Sequence, residues 1–349
     1  MATTLFDERL LPTDIMVRDG YRVRSLRSDD YDYLNLWRKT EIPKIKAVPE
    51  FQKRFEAMKK TNSYFVVVVE QISSQKIVSA LTLLLEFKFI HEAGQRGRIE
   101  NFVLADSHCA FSLCIGSTLH STLIELAKTL GAYKLSCQCD TGSMRYFTAH
   151  QYVNIHHFLD QRFETKAPAK WSNPQDAALL FNENLIPTGG IPEGIRARAL
   201  RSPDDMDQYL KLLEQLTSVG YLSKNDFEQR FATMKTAESY FIVILEDIAS
   251  SKIIGAASLV TETKYNLNCE LRGRVEDVVV DESQRGKKLG VLLNKILVEM
   301  AKKLGVFKLS LECKTELIPF YEKFGYKESL KFMAQRFDNV VPPVVTTLD

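Results

Sequence analysis

Two kinds of apolar pattern alternate along the chain. Short runs such as FVVVV at Phe65 to Val69 are apolar at nearly every position and predict buried strands. A longer stretch places Leu289, Leu292, Leu293, Ile296, Leu297, Met300, Ala301 and Leu304 at i, i+3, i+4, i+7 and i+8 spacing, which predicts a helix from about Lys288. Around it, the C-terminal half reads as a short strand near Arg196 to Leu200, then helices, the second capped by Ser223 or Asn225 before DFEQRFATMK. The strands SYFIVILE and KIIGAASLVTET follow, joined by a polar turn at Ala249 to Ser251. Then come the strand RVEDVVVD, the long helix, the strand FKLSLEC, a short helix in ELIPFYEKFG and a last strand KFMAQRF. This order is mixed α/β, with hairpins first and one parallel strand-helix-strand unit after them.

The pattern occurs twice. FQKRFEAMKKTNSYFVVVVEQISSQKIVSA at Phe51 returns as FEQRFATMKTAESYFIVILEDIASSKIIGA at Phe227, and RGRIENFVLADS returns as RGRVEDVVVDES at an offset of 272 − 96 = 176 residues. A period this long indicates a duplicated domain, since solenoid repeats have periods of roughly 20 to 50 residues. The aperiodic stretch TKAPAKWSNPQD marks a linker, so the expected organisation is a domain over 1–168, a linker over 169–184 and a second domain over 185–349.

Composition narrows the class. The 349 residues are 45% hydrophobic and 26% charged, a soluble globular balance, and the apolar runs fall far short of the roughly 20 residues of a membrane helix. The N-terminal stretch has no signal-peptide pattern, so the expected location is cytoplasmic, without a membrane partner. A net charge of +2 argues against a nucleic-acid partner. Cys137 and Cys139 share one face of a strand but have no matching pair elsewhere, so no metal site is expected.

The chemistry concentrates in Arg285-Gly286-Lys287-Lys288-Leu289-Gly290, between a strand and the long helix. A helix N-terminus presents unpaired N–H groups and partial positive charge, glycines admit an anion closely, and three basic side chains add full charge. Such a turn suits a phosphate or pyrophosphate; the plainer alternative is a solvated basic turn. It matches neither the G-x-x-x-x-G-K-[ST] of a P-loop nor the G-x-G-x-x-G of a dinucleotide fold. Glu276 and Asp277, adjacent in a strand, point to opposite faces, and ionised groups within VEDVVV must be hydrated, paired or used.

Strand, R-G-x-x-L-G, amphipathic helix, strand and FYEKFGY in this order resemble the GCN5-related N-acetyltransferases. RGRVEDVVV, LEC and FYEKFGY are similar in detail to the glucosamine 6-phosphate N-acetyltransferase branch of that family. The resemblance covers about Leu200 to Phe337 and implies two tandem acetyltransferase domains, each a mixed twisted sheet flanked by helices. It implies that Arg285, Gly286, Lys287, Lys288, Leu289 and Gly290 hold the pyrophosphate of acetyl-CoA, and that Val278, Val279 and Val280 present backbone to its pantetheine and acetyl carbonyl. Tyr321 would face the thioester sulfur and give the thiolate a hydrogen bond or proton; otherwise it is one more core aromatic. Glu276, with a raised pKa, is expected to orient the acceptor amine and take its proton; otherwise it is a strand carboxylate satisfied by Arg272 or Arg274. Asp277 is expected to bind a sugar hydroxyl, and Thr217, Lys264 and Arg336 complete the sugar-phosphate side. The implied reaction is direct transfer of the acetyl group to the amine of D-glucosamine 6-phosphate, on the route to UDP-N-acetylglucosamine. A sugar-phosphate-binding regulatory protein and a different amine acceptor are the alternatives.

Departures from the family pattern shape the expectation. Leu267 stands where a His is usual, and Leu317 where an Asn is usual. The first half has Phe111-Ser112-Leu113-Cys114-Ile115-Gly116 in place of the basic turn and Phe147 in place of Tyr321, yet keeps KFIH at Lys88 to His91 with Arg98, Glu100 and Arg162. Because family members form homodimers with shared pockets, the chain is expected to be an internal pseudo-dimer, with further self-association left open. Its first half would be a degenerate copy that lends phosphate ligands.

Overall fold

A computed structural model describes residues 2–15, 17, 19–37, 48–105, 112–163, 174–265 and 271–337. Leu267, Phe111, residues 164–168 and the first part of the linker, 169–173, lie outside them. The first half contains β1 (Tyr21–Ser25), α1 (Val48–Thr61), β2 (Tyr64–Gln71), β3 (Lys76–Phe87), the short turn α2 (Ile90–Ala93), β4 (Gln95–Leu104), α3 (Ser112–Thr129), β5 (Ala132–Cys139), α4 (Met144–Ala149) and β6 (Val153–Arg162). The second contains β7 (Ile195–Ala199), α5 (Met206–Glu214), α6 (Lys224–Ala237), β8 (Tyr240–Asp247), β9 (Lys252–Glu262), β10 (Leu271–Val280), α7 (Leu289–Lys303), β11 (Val306–Cys313), α8 (Ile318–Glu322) and β12 (Lys327–Arg336). Of the two residues the sequence offers as cap for α6, Ser223 holds the position. Its hydroxyl accepts from the Asp226 N–H while the Asp226 carboxylate accepts from the Ser223 N–H, a reciprocal box.

The twelve strands of the described residues form one sheet, in the order β1-β2-β3-β4-β5-β12-β6-β11-β10-β9-β8-β7. Read inward from either edge the order is the same, until the centre. There β12, the end of the second half, pairs with β5, and β6, the end of the first, pairs with β11. The last strands are exchanged, and they pair antiparallel with each other. The parallel pairs are β4 with β5 and β10 with β11, bridged by α3 and α7 respectively.

A second exchange follows β3 and β9. Phe87, Phe89 and Ile90 belong to the core of the second half, where the Phe89 ring lies 4.5 Å from Phe227 and 5.7 Å from Tyr209. Tyr265 belongs to the core of the first half, 5.1 Å from Phe51 and 5.4 Å from Tyr33. Burying one such ring contributes on the order of 1.5–3 kcal/mol. These anchors fix where the residue between or beside them, Lys88 or Lys264, is delivered.

Candidate active site

In β10 the pairing with β11 ends at Arg274 opposite Ser310, and the pairing with β9 is interrupted between Glu276 and Val279. Asp277 sits at the bulge with φ 51°, a left-handed conformation that non-glycine residues adopt at some energetic cost. Beyond Arg274 the strands splay, so the β11-facing backbone edge of Val278 to Val280 lies outside the ladder. At the end of β10 the turn from Arg285 to Lys288 is exposed, Gly286 has φ 85° and Lys288 caps α7 with φ 58°. Among the described residues no side chain caps α7, whose N-terminus follows directly on the turn that carries Arg285, Lys287 and Lys288. A Cβ on Gly286 would touch nothing, so conformation rather than space selects glycine there.

Tyr321, on α8, is 8% exposed and packs edge-on to Phe320 and Tyr326 at 5.0 and 5.9 Å. Burial pushes its phenol up to about 12, so it stays protonated and can only donate near neutrality. Leu317, preceding α8, is 43% exposed and does not join that aromatic cluster.

Glu276 is fully enclosed by cations. Lys88 and Arg96 from the first half contact its carboxylate directly, and Arg274 Nε donates at 2.6 Å. Burial alone would push this carboxyl up, but Arg96, Lys88 and Arg274 together outweigh it and hold it well below the usual carboxylate range. The expectation of a raised pKa is therefore corrected: Glu276 is a fixed anion and a poor proton acceptor near neutrality. Arg274, one of the two partners the sequence offers for this carboxylate, does pair with it. Asp277, a fifth exposed, receives Lys88 Nζ at 2.9 Å and retains access to solvent.

The substrate-side assignments divide. Lys264 contacts Glu100 and lies 3.1 Å from Glu262, so the structure delivers it to the first half. Lys88 occupies the corresponding place at Glu276, which corrects the assignment of a cation there from Lys264 to Lys88. The exchange of the segments after β3 and β9 is the cause. Thr217 lies at the exit of α5, and the carbonyls of Ser218 and Val219 accept from the N–H groups of His91 and Glu92 at 3.3 and 2.8 Å. His91 stacks on Tyr133 at 4.3 Å, and Arg336 stands opposite Lys134 across β12 and β5. Burial, then Arg336 and Lys134, lower the His91 pKa; burial and Arg96, with Arg336 adding to them against Glu312, bring Lys134 down to about 8. Lys134 and Arg336 thus set two cations beside His91, whose lowered pKa leaves it neutral near neutrality, and Lys88 and Arg96 add to the positive field at Lys134, an arrangement that an anion would relieve.

Lys134, Arg96 and Glu312 were not singled out by the sequence, although KFIH at Lys88 to His91 was a visible signal that the first half supplies ligands. The first half itself presents the converse. Glu100 is held by Lys264 and by Arg98 at 2.7 Å, but Phe147 replaces the tyrosine.

A splayed parallel pair, a bulged strand and a basic glycine turn opening a helix define an acetyltransferase. A family model described as "Acetyltransferase (GNAT) family" matches residues 206–326, and the chain belongs to this family of acyltransferases. It is 34% identical over 149 residues to the glucosamine 6-phosphate N-acetyltransferase of Arabidopsis thaliana, covering 42% of this chain and all of that one. It is 46% identical over 132 residues to a probable glucosamine 6-phosphate N-acetyltransferase of Drosophila melanogaster, covering 38% of this chain and 60% of that protein's length. A solved tandem GNAT protein from the clavulanic acid biosynthesis pathway aligns with TM-score 0.55 at 15% identity, over 90% of this chain and 98% of its own, which supports the tandem fold.

Proposed function

We propose that the chain transfers the acetyl group of acetyl-CoA to the amine of D-glucosamine 6-phosphate by direct attack, with the second half as the reacting unit. The observation that carries this reading is the group His91, Lys134 and Arg336, next to the two first-half cations, Arg96 and Lys88, that reach Glu276 in the half that keeps the basic turn and Tyr321. Relatives named for this reaction at 34% and 46% identity point the same way.

In this reading the turn from Arg285 to Gly290 and the backbone of Val278 to Val280 hold acetyl-CoA, which supplies an acetyl group already activated as a thioester. The uncapped N–H groups of α7 and the three basic side chains fit a pyrophosphate. Tyr321 donates a hydrogen bond toward the leaving sulfur. Full proton transfer from a phenol near 12 to a thiolate whose acid has a pKa of about 8.5 would be uphill by roughly 5 kcal/mol. Glu276, permanently ionised, holds Lys88 and Arg96 in place and orients the pocket. The amine loses its proton to solvent, and Asp277, which keeps access to solvent, binds a sugar hydroxyl. The cationic cluster binds the phosphate, which favours the phosphorylated over the free sugar.

The test is thiol release by the full chain with acetyl-CoA and either glucosamine 6-phosphate or glucosamine. Two charge-assisted contacts at roughly 1.5–3 kcal/mol each predict a preference of at least about 10²-fold for the phosphate. Turnover indifferent to the phosphate would redirect the proposal to another amine, and binding without turnover would redirect it to a regulatory role.

A further inference from the structure

The first half keeps a cleft of its own. Between β4 and β5 lies a cavity of about 390 Å³, within the usual range for small-molecule sites. It occupies the place of the splay in the second half: Asn101 repeats the left-handed bulge of Asp277 with φ 59°, and the β4–β5 ladder ends at Ile99 opposite Cys137.

Its walls have changed character. Phe102 is 48% exposed, and its ring reaches 3.3 Å from where a Cβ on Gly116 would stand, so it lies across the early turns of α3. Tyr146, Phe147 and His120 supply further aromatic wall. The charged group among the lining residues is Glu100, already tied to Lys264 and Arg98. Among the described lining residues nothing compensates an anionic ligand, and a cation would meet a carboxylate that is already satisfied.

Two polar atoms in this lining lack partners. His120 is 2% exposed; its Nε2 lies 3.2 Å from the Tyr152 hydroxyl, while Nδ1 has no hydrogen-bond partner among the described residues. Gln138 Oε1 is likewise buried and unpartnered among them. Burial, with His150 beside it, brings His120 down to about 3, so its ring is neutral. Unpaired buried polar atoms are destabilising unless something outside the chain meets them.

We propose that this cavity is a second ligand site, taking a small, uncharged aromatic or heteroaromatic molecule that carries an N–H or O–H donor. Aromatic walls select a flat apolar body, and the unpartnered acceptor at Gln138, with the neutral imidazole beside it, selects the donor. The site is distinct from the thioester cleft and does not depend on the acceptor assigned above.

Indole is a suitable probe, titrated into the full-length chain by saturation-transfer NMR with acetyl-CoA in excess. Expected are saturable binding that acetyl-CoA does not displace, contacts from indole to the ring protons of Tyr146 and Phe147, and about tenfold weaker binding of 1-methylindole, which lacks the donor. Ser143→Phe, which fills the cavity from its wall, is expected to abolish the signal while leaving thiol release unchanged. Absence of saturable binding, displacement by acetyl-CoA, equal binding of the methylated probe or contacts confined to the second half would each overturn the proposal.

Discussion

At the scale of single residues, burial has opposite outcomes for the Tyr321 phenol and the Glu276 carboxylate. Among the described residues no cation offsets the burial of Tyr321, so burial keeps its proton on. Tyr321→Phe is expected to lower kcat by about 10²-fold with little change in KM for acetyl-CoA, read by steady-state thiol release. Glu276 is buried to a similar degree, but Arg96, Lys88 and Arg274 reverse the effect. Without that charge Lys88 keeps Asp277, Arg96 keeps Glu86 and Glu312, and Arg274 keeps Glu312, so Glu276→Gln is expected to destabilise the chain by about 1–3 kcal/mol, measured by urea unfolding. The sequence showed that a charge inside VEDVVV needed a partner, yet two of its three partners come from residues about 180 positions away. Their approach depends on the exchange of segments, which no local pattern records. Lys134 gives a test with a sign. Its folded pKa lies near 8 against an ordinary 10.5, so between those values the folded chain binds fewer protons than the unfolded one and stability rises with pH. A phosphate placed there would restore the charge. Binding of glucosamine 6-phosphate near pH 8.5 is therefore expected to take up protons, seen as a buffer-dependent calorimetric enthalpy; proton release would contradict the assignment.

Among the elements, the segment from Phe87 to Ile90 decides which half receives Lys88. Phe87 and Phe89 enter the core of the second half, and the residue between them reaches Glu276 and Asp277. Phe89→Ala should therefore raise KM for the sugar phosphate several-fold and leave acetyl-CoA affinity unchanged, beyond the roughly 3–5 kcal/mol of stability that an emptied aromatic site costs. Most individual elements were legible. The helix expected from Lys288 runs Leu289–Lys303, and SYFIVILE corresponds to Tyr240–Asp247, because apolar spacing and turn chemistry act within a few residues. The 3-10 turn Thr315–Leu317 before α8 was folded into the expected helix ELIPFYEKFG, since Pro319 is equally at home in the first turn of either reading. The sequence offers Gly286 as a glycine that admits an anion, whereas the structure gives it φ 85°, a conformation that itself favours glycine.

For the molecule as a whole, two sequence halves do not make two spatial halves. The repeat marks where the copies join, but the exchange of β6 and β12 leaves each copy completed by the other's last strand. The second half expressed alone should expose the β11 edge that β6 covers and lose Lys88, His91 and Lys134. It is expected to aggregate or to lack phosphate-dependent turnover, checked by light scattering and thiol release. Exchanged strands have a further consequence through the single covalent chain that carries both. In an assembly of separate subunits with shared pockets, the active form would disappear on dilution below its dissociation constant. Here the partner is present at a fixed effective concentration set by the linker, so specific activity should stay constant down to the lowest enzyme concentration that can be assayed. Tethering also releases the two copies from having to be identical, which leaves one of them free to lose its basic turn while the other keeps its own.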